Sequence, residues 1–312
     1  MSSTLQQKSI KELPDQPRDG SAAVVIRSPG LVFGIGFALI GLVDVSILGN
    51  LPIRLLLKTH LHVRQERMSL FFAISGLAWY VKPLMGILSD RAPLFGTRRR
   101  HYLVLSSLLA AALWLLMGAI SSTYAGLLAI ATAVCAAIVM CSTVLGGLLV
   151  EAGQANGATG RLSALKMAAS TLSTLAAGPI GGFLATKALG WTGATAALLL
   201  LLIASGAWTM VRERPFAGKV NTGALNGLKE IAGSRSLWWA CLMAGLVLLA
   251  PGFQTPLFYY QTSTLKFSTQ FIGFLAFING LAGVAGGVTY FFLCRRLPLR
   301  RTLALGIVIS AA

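Results

Sequence analysis

The chain has 312 residues, 55% of them hydrophobic and only 11% charged, and its mean hydropathy is +0.75. Soluble domains carry about 25% charged residues, so this composition excludes a soluble globular protein and points to one embedded in a bilayer. The 26 Lys and Arg outnumber the 9 Asp and Glu by 17, an excess that suggests nucleic acid only in a soluble domain and here must first be read against loop topology.

Residues 1–28 are polar, carry both signs of charge, and lack the apolar centre and small-residue cleavage site of a signal peptide. They are expected to form a disordered cytoplasmic tail. Apolar runs near the roughly 20 residues needed to cross a bilayer then predict helices over 31–51, 69–89, 102–120, 124–150, 162–189 and 191–211. After a polar stretch, further spans are predicted over 237–260 and 270–294, and a ninth begins near residue 302. No period-2 alternation suggests a barrel. The expected fold is an all-α polytopic membrane bundle of eight complete transmembrane helices plus the start of a ninth. Its expected parts are an N-terminal six-helix half (29–211), a cytoplasmic linker (212–235) and an incomplete C-terminal half (236–312).

Sorting the cations by alternate loops puts nineteen on the side of the N-terminal tail and six on the other, with Lys82 inside the membrane. Cytoplasmic loops carry the excess of Lys and Arg. The N-terminus is therefore expected in the cytoplasm, with the plasma (inner) membrane as the location.

Helix two ends on Gly86, Asp90 and Arg98 to Arg100, and helix eight on Gly286, Tyr290, Arg295, Arg296, Arg300 and Arg301, an echo at an offset of about 200 residues. Two parallel six-helix halves joined by a long link form the plan of the major facilitator superfamily, which this pattern resembles. A narrower likeness lies in W-x-x-KP-x-x-G-x-x-SD-x-x-P-x-x-G-x-RR, from Trp79 to Arg99. It resembles the signature of the folate-biopterin transporter family, as do the stretches 55–74 and 148–166. Thr97 departs from it, standing where an aromatic residue is usual. The resemblance implies secondary active transport of an organic solute by alternating access, with folate or a pterin as substrate class, and a twelve-helix plan on which this chain reads as truncated. It also implies that the turn after helix two latches the two halves.

Several residues are candidates for the work. Asp44 falls in the middle of helix one, roughly 18 Å from its cytoplasmic end at about 1.5 Å per residue, too deep for so short a side chain to reach water. It is expected to face the interior, as a proton or substrate group or as the structural partner of a buried cation. Lys82, roughly 10 Å deep by the same rise, costs about 2.5–3.5 kcal/mol on insertion scales. Its stem reaches toward Asp44, where the ammonium would attract a solute carboxylate in a substrate or proton site shared with Asp44, Trp79, Tyr80, Gln254 and Asn279, or toward the interface. Pro83 removes a backbone donor and is expected to kink the helix. Trp79 and Tyr80 are suited to stack a flat ring, and Gln254 and Asn279 are the polar cavity candidates of the second half. Tyr259 and Tyr260 read better as an interfacial aromatic belt.

Gly86, Asp90, Arg91, Gly96, Arg98, Arg99 and Arg100 form the candidate latch, with the bland reading that basic clusters orient the chain and meet anionic lipid. Asp90 ends a helix, where the macrodipole disfavours a carboxylate, so a nearby cation is expected to hold it. Glu151 with Arg161 is expected to complete the network. The glycines of GPIGG (Gly178, Gly181, Gly182), with Gly280 and Gly283, read as helix packing. His60 and His62 lack further ligands for a metal. No nucleophile-base pair or nucleotide motif appears, so no enzyme activity, cofactor or nucleic-acid partner is expected. The expected partners are an organic solute, anionic in the case of folate, protons and the lipid bilayer. Two other readings fit the residues: a major facilitator exporting drugs or metabolites, and a non-transporting membrane-protein assembly factor of related fold.

Overall fold

The computed structural model describes residues 24–26, 28–92, 94–97, 99–120, 123–155, 157–213 and 254–296, together with isolated positions between 233 and 242; at Val24, Val25, Arg91 and over 286–296 only the backbone is described. The predicted span 237–260 falls mostly outside these residues, as do the start of the ninth helix and most of the predicted linker.

The first helix departs from the unbroken span predicted over 31–51. Helix α1 (Pro29–Leu42) opens on proline, whose fixed φ suits a first turn, and stops short of Asp44. A second helix, α2 (Asn50–Thr59), follows after a seven-residue break. The cause is local. Asp44 Oδ1 accepts both the Ser46 amide, at 2.7 Å, and the Ser46 hydroxyl, a turn that competes with helical bonding. Trp114 Nε1 donates to the carbonyl of Val43 at 3.1 Å, satisfying a group that the break leaves without a helical partner. Hydropathy alone does not register such a turn, because its flanks remain apolar.

Helix two is built in three parts: α3 (Gln65–Gly76), a 3₁₀ segment (Leu77–Val81) and α4 (Lys82–Arg91). Pro83 has no amide to donate, and the chain tightens just before it, where the Lys82 amide bonds the Trp79 carbonyl. Helices α5 (Arg100–Ala119), α6 (Tyr124–Ala155), α7 (Thr159–Leu184) and α8 (Leu189–Met210) match their predicted positions within a few residues. A short α9 (Gln254–Tyr259), a π-helical turn (Tyr260–Thr264) and α10 (Thr269–Arg296) complete the described bundle. Among the described residues five segments are long and apolar enough to cross a membrane, while α1 and 269–285 are shorter apolar helices.

Helix α6 is central, with buried residues along most of its length. Helix α5 packs on α8 where Gly118 meets Gly190 and where Gly193 lies under the Trp114 carbonyl, contacts that leave no room for a side chain. Helix α7 carries α10 in the same way. A Cβ on Gly178 would stand 2.6 Å from the Phe277 amide, and one on Gly273 would stand 2.9 Å from Gly182 Cα. Small residues let two backbones approach where no hydrophobic effect drives helices together in lipid, which is the packing role read for the GPIGG stretch.

The structure corrects the all-α and disordered-tail expectations at one place. Strands β1 (Val24–Ile26) and β2 (Val211–Glu213) pair antiparallel, joining the end of the tail to the residues after α8. Val24, Val25, Ile26 and Val211 are β-branched and suit a paired strand, a signal too short to read beside long apolar helices.

Candidate functional site

A cavity of about 890 Å³ lies between two groups of elements. On one side are the break after α1, α2 and α7, represented by Ser46, Asn50 and Thr174; on the other are α9, the π turn and α10, represented by Gln254, Gln261 and Asn279. Pockets of roughly 300–1,000 Å³ hold drug-sized ligands. The Gln254 and Asn279 amides are exposed into this space and bond no other described residue, leaving donors and acceptors free for a solute.

The other four residues predicted to share the site stand apart from it. Asp44 is 3% exposed and does not line the cavity, and it lies in the break rather than inside a helix. Its Oδ2 makes no hydrogen bond, although the Trp79 indole approaches the carboxylate. Lys82 does not pair with Asp44: its Nζ donates to Ser142 Oγ at 3.0 Å and lies 5.0 Å from the centroid of Trp79. Trp79 is thus a neighbour of both groups. Lys166 of α7 is near enough to repel Lys82 electrostatically. Tyr80 is exposed on the 3₁₀ segment, away from the cavity. Ser46 connects the two regions, since it both lines the cavity and bonds Asp44.

The turn after helix two is organised by Arg99. Its Nη2 meets Asp90 Oδ1 at 3.3 Å and Glu151 Oε1 at 3.0 Å, so the helix-ending carboxylate has the cation its position requires. Arg161, expected as the partner of Glu151, is exposed and pairs with no described carboxylate. Arg98 and the Arg91 side chain lie outside the described residues. The Arg100 guanidinium covers the Trp208 ring at 4.4 Å and donates to the Trp208 carbonyl at 2.7 Å. Gly96 takes the left-handed conformation, φ +77°, that closes the turn. Gly86 leaves room for a methyl against Thr143.

Two residues at this turn were not singled out from sequence. Glu213 Oε2 accepts the amides of Arg99 and Arg100 at 3.1 Å each, capping the positive end of α5. Gly147 gives Arg99 its seat. Neither shows in a linear reading, because both come from elements distant in sequence.

At the opposite end α2 closes on α9 and the π turn. Arg54, counted among loop cations by sequence, is 5% exposed and lines the cavity. Its Nη1 donates to the Gln254 carbonyl at 3.2 Å and to Thr255 Oγ1 at 3.3 Å, between the rings of Phe72 and Phe258. Lys58 Nζ donates to the hydroxyls of Thr262 and Ser263. Tyr259 donates to the Val63 carbonyl, tying α9 to the segment after α2. The signal for Arg54 was its helical face, shared with Leu51 and Leu57 at i−3 and i+3.

Comparison with known proteins gives the context. The model of the family described as "BT1 family" matches residues 46–312. The chain is 28% identical over 284 residues to a protein named Folate-biopterin transporter from Synechocystis sp., covering 85% of this chain and 55% of that protein. It is 24% identical over 279 residues to one named Folate transporter 2 from Plasmodium falciparum, covering 87% of this chain and 61% of that protein. The chain therefore spans little more than half the length of these relatives. Among solved structures, a D-xylose-proton symporter superposes with a TM-score of 0.59 at 15% identity, covering 86% of this chain and 69% of that one, which shows a shared fold.

Proposed function

The chain belongs to the BT1 family, whose relatives here are named as transporters and not as enzymes, and has the major-facilitator fold; from that premise we propose that it carries an organic solute of the folate or pterin class by alternating access. The observation that carries this reading is the cavity of about 890 Å³ between two groups of helices, with the Gln254 and Asn279 amides uncommitted on its wall.

A pterin ring offers amide and amino edges to match such groups, and the apolar lining, including Leu257, Phe258 and Ile272, suits its faces. The six-helix half 29–211 and the part 236–312 rock against each other about this cavity. The contacts of Arg54, Lys58 and Tyr259 close one end, while the Arg99 network governs the other. Protons drive the movement through Asp44, whose buried carboxylate has no described cation within ion-pair distance and whose Ser46 partner faces the solute. The cation asymmetry of the loops supports a cytoplasmic N-terminus in a plasma membrane.

The test is uptake of radiolabelled folate and biopterin into proteoliposomes containing the purified chain. Saturable uptake, with each solute competing against the other, supports the reading. Uptake of neither, alongside flux of unrelated drugs, favours a broad exporter. No flux of any solute, with a membrane-protein partner retained through purification, sinks the transport reading.

A further inference from the structure

We infer that Arg54 is the anion receptor of the cavity, taking a carboxylate of the solute, and that it sets the preference for carboxylate-bearing over neutral solutes. The inference rests on the cavity being the solute site.

Arg54 is the one charged side chain among the described residues lining the cavity. It is 5% exposed, and no described carboxylate lies within ion-pair distance of it. A buried cation without a counter-ion is costly, so an unpaired one facing a solute space has a chemical preference built in. Its present hydrogen bonds are poor substitutes. Both come from Nη1, at 3.2 and 3.3 Å to neutral acceptors, and Nε is buried with no acceptor. Charge-assisted bonds from guanidinium to carboxylate are shorter, at about 2.7–2.9 Å, and frequently bidentate.

The surroundings also favour this exchange. The guanidinium carbon lies 4.7 and 5.7 Å from the Phe72 and Phe258 ring centroids, cation–π contacts that hold the group without using its hydrogen-bond donors. The competing cation at this end, Lys58, does not line the cavity and is occupied by the Thr262 and Ser263 hydroxyls. A carboxylate in the cavity therefore meets Arg54 as its one cation among the described wall residues. Turning to that carboxylate, Arg54 releases Gln254 and Thr255 and so loosens the tie between α2 and α9.

The test measures equilibrium binding of radiolabelled folate, which carries two carboxylates, and of biopterin, which carries none, to the purified full chain in detergent. Arg54→Gln should lower the ratio of folate affinity to biopterin affinity by about tenfold or more, as expected for loss of a charge-assisted bidentate contact. Arg54→Lys, which keeps the charge without the fork, should lower it by a smaller factor, and Lys58→Gln should leave it within about twofold. If Arg54→Gln elutes as aggregate, Arg54→Lys carries the test alone. An unchanged ratio in the folded Arg54 variants overturns the inference while leaving the transport reading intact. An equal fall in Lys58→Gln does the same, since it assigns the effect to general electrostatics. If the parent chain binds neither solute, the transport reading fails and this inference falls with it.

Discussion

The guanidinium of Arg99 rests on the bare backbone of Gly147, so close that a Cβ there would stand 2.0 Å from Nη1. The same guanidinium reaches Asp90 and Glu151 through Nη2. Three elements (α4, the start of α5 and α6) therefore meet on one cation, and the room for it depends on a missing side chain in α6.

Gly147→Ala should expel Arg99 from this seat. Relief is available because the clashing atom ends a flexible side chain, so the fold should survive, but the paired carboxylates lose their shared partner. Partly exposed ion pairs contribute about 0.2–1 kcal/mol each, so the thermal midpoint should move only slightly. The conformational balance between the two access states should move more. Cysteine accessibility at either end of the cavity measures it, and an accessibility pattern identical to the parent's would show that Arg99 is not a latch.

Asp44→Asn keeps the shape and the Ser46 contacts but cannot exchange a proton. Folate uptake driven by an inward proton gradient should fall about tenfold or more, while solute exchange without a gradient persists, since only the coupled step needs the carboxylate. Both fluxes are read in the same proteoliposomes. A variant as responsive to the gradient as the parent removes Asp44 from coupling.

Lys82 and Gln254 separate two ideas of where the solute sits. The sequence placed both in one site, but only Gln254 lines the cavity, and Lys82 is engaged by Ser142 and Trp79. Gln254→Ala should raise KM about fivefold or more, whereas Lys82→Gln should leave KM within about twofold and lower the maximal rate. Initial-rate uptake over a range of folate concentrations distinguishes them. The reverse pattern would move the solute from the cavity to the surroundings of Lys82, Trp79 and Ser142.

What sequence made legible follows the length scale of each signal. Apolar runs of about 20 residues locate α5 to α8 well, because membrane thickness imposes that length. The departure from α-helical bonding before Pro83 and the cation needed by Asp90 were also readable, each following from a local rule about backbone donors or helix dipoles. The break at Asp44 was not, since the short Asp44–Ser46 turn leaves the hydropathy of its flanks unchanged and the carbonyl it frees is satisfied only by Trp114, 71 positions away. Arg54 was missed for a related reason: a cation near a helix end reads as a loop charge until Phe258 and Thr255, two hundred residues away, cover it.

The seam between α7 and α10 gives a stability test with its own control. At Gly178 an added Cβ meets the backbone of α10, 2.6 Å from Phe277 N and 2.8 Å from Gly273 O, and neither atom can turn aside as a side chain does. Gly178→Ala must push α10 away along the cavity wall, a strain of about 1–3 kcal/mol for overpacking. At Gly181, one turn along, the nearest atom is Leu48 O at 3.4 Å, an ordinary contact. Gly181→Ala should therefore be near neutral, apart from the few tenths to about 1 kcal/mol that alanine adds to helix propensity over glycine. Thermal unfolding of the two variants in the same detergent should show a lowered midpoint for Gly178→Ala and an unchanged or raised one for Gly181→Ala. Equal midpoints would mean that α10 does not bear on α7 through these backbones, and the cavity they frame would lose its fixed wall.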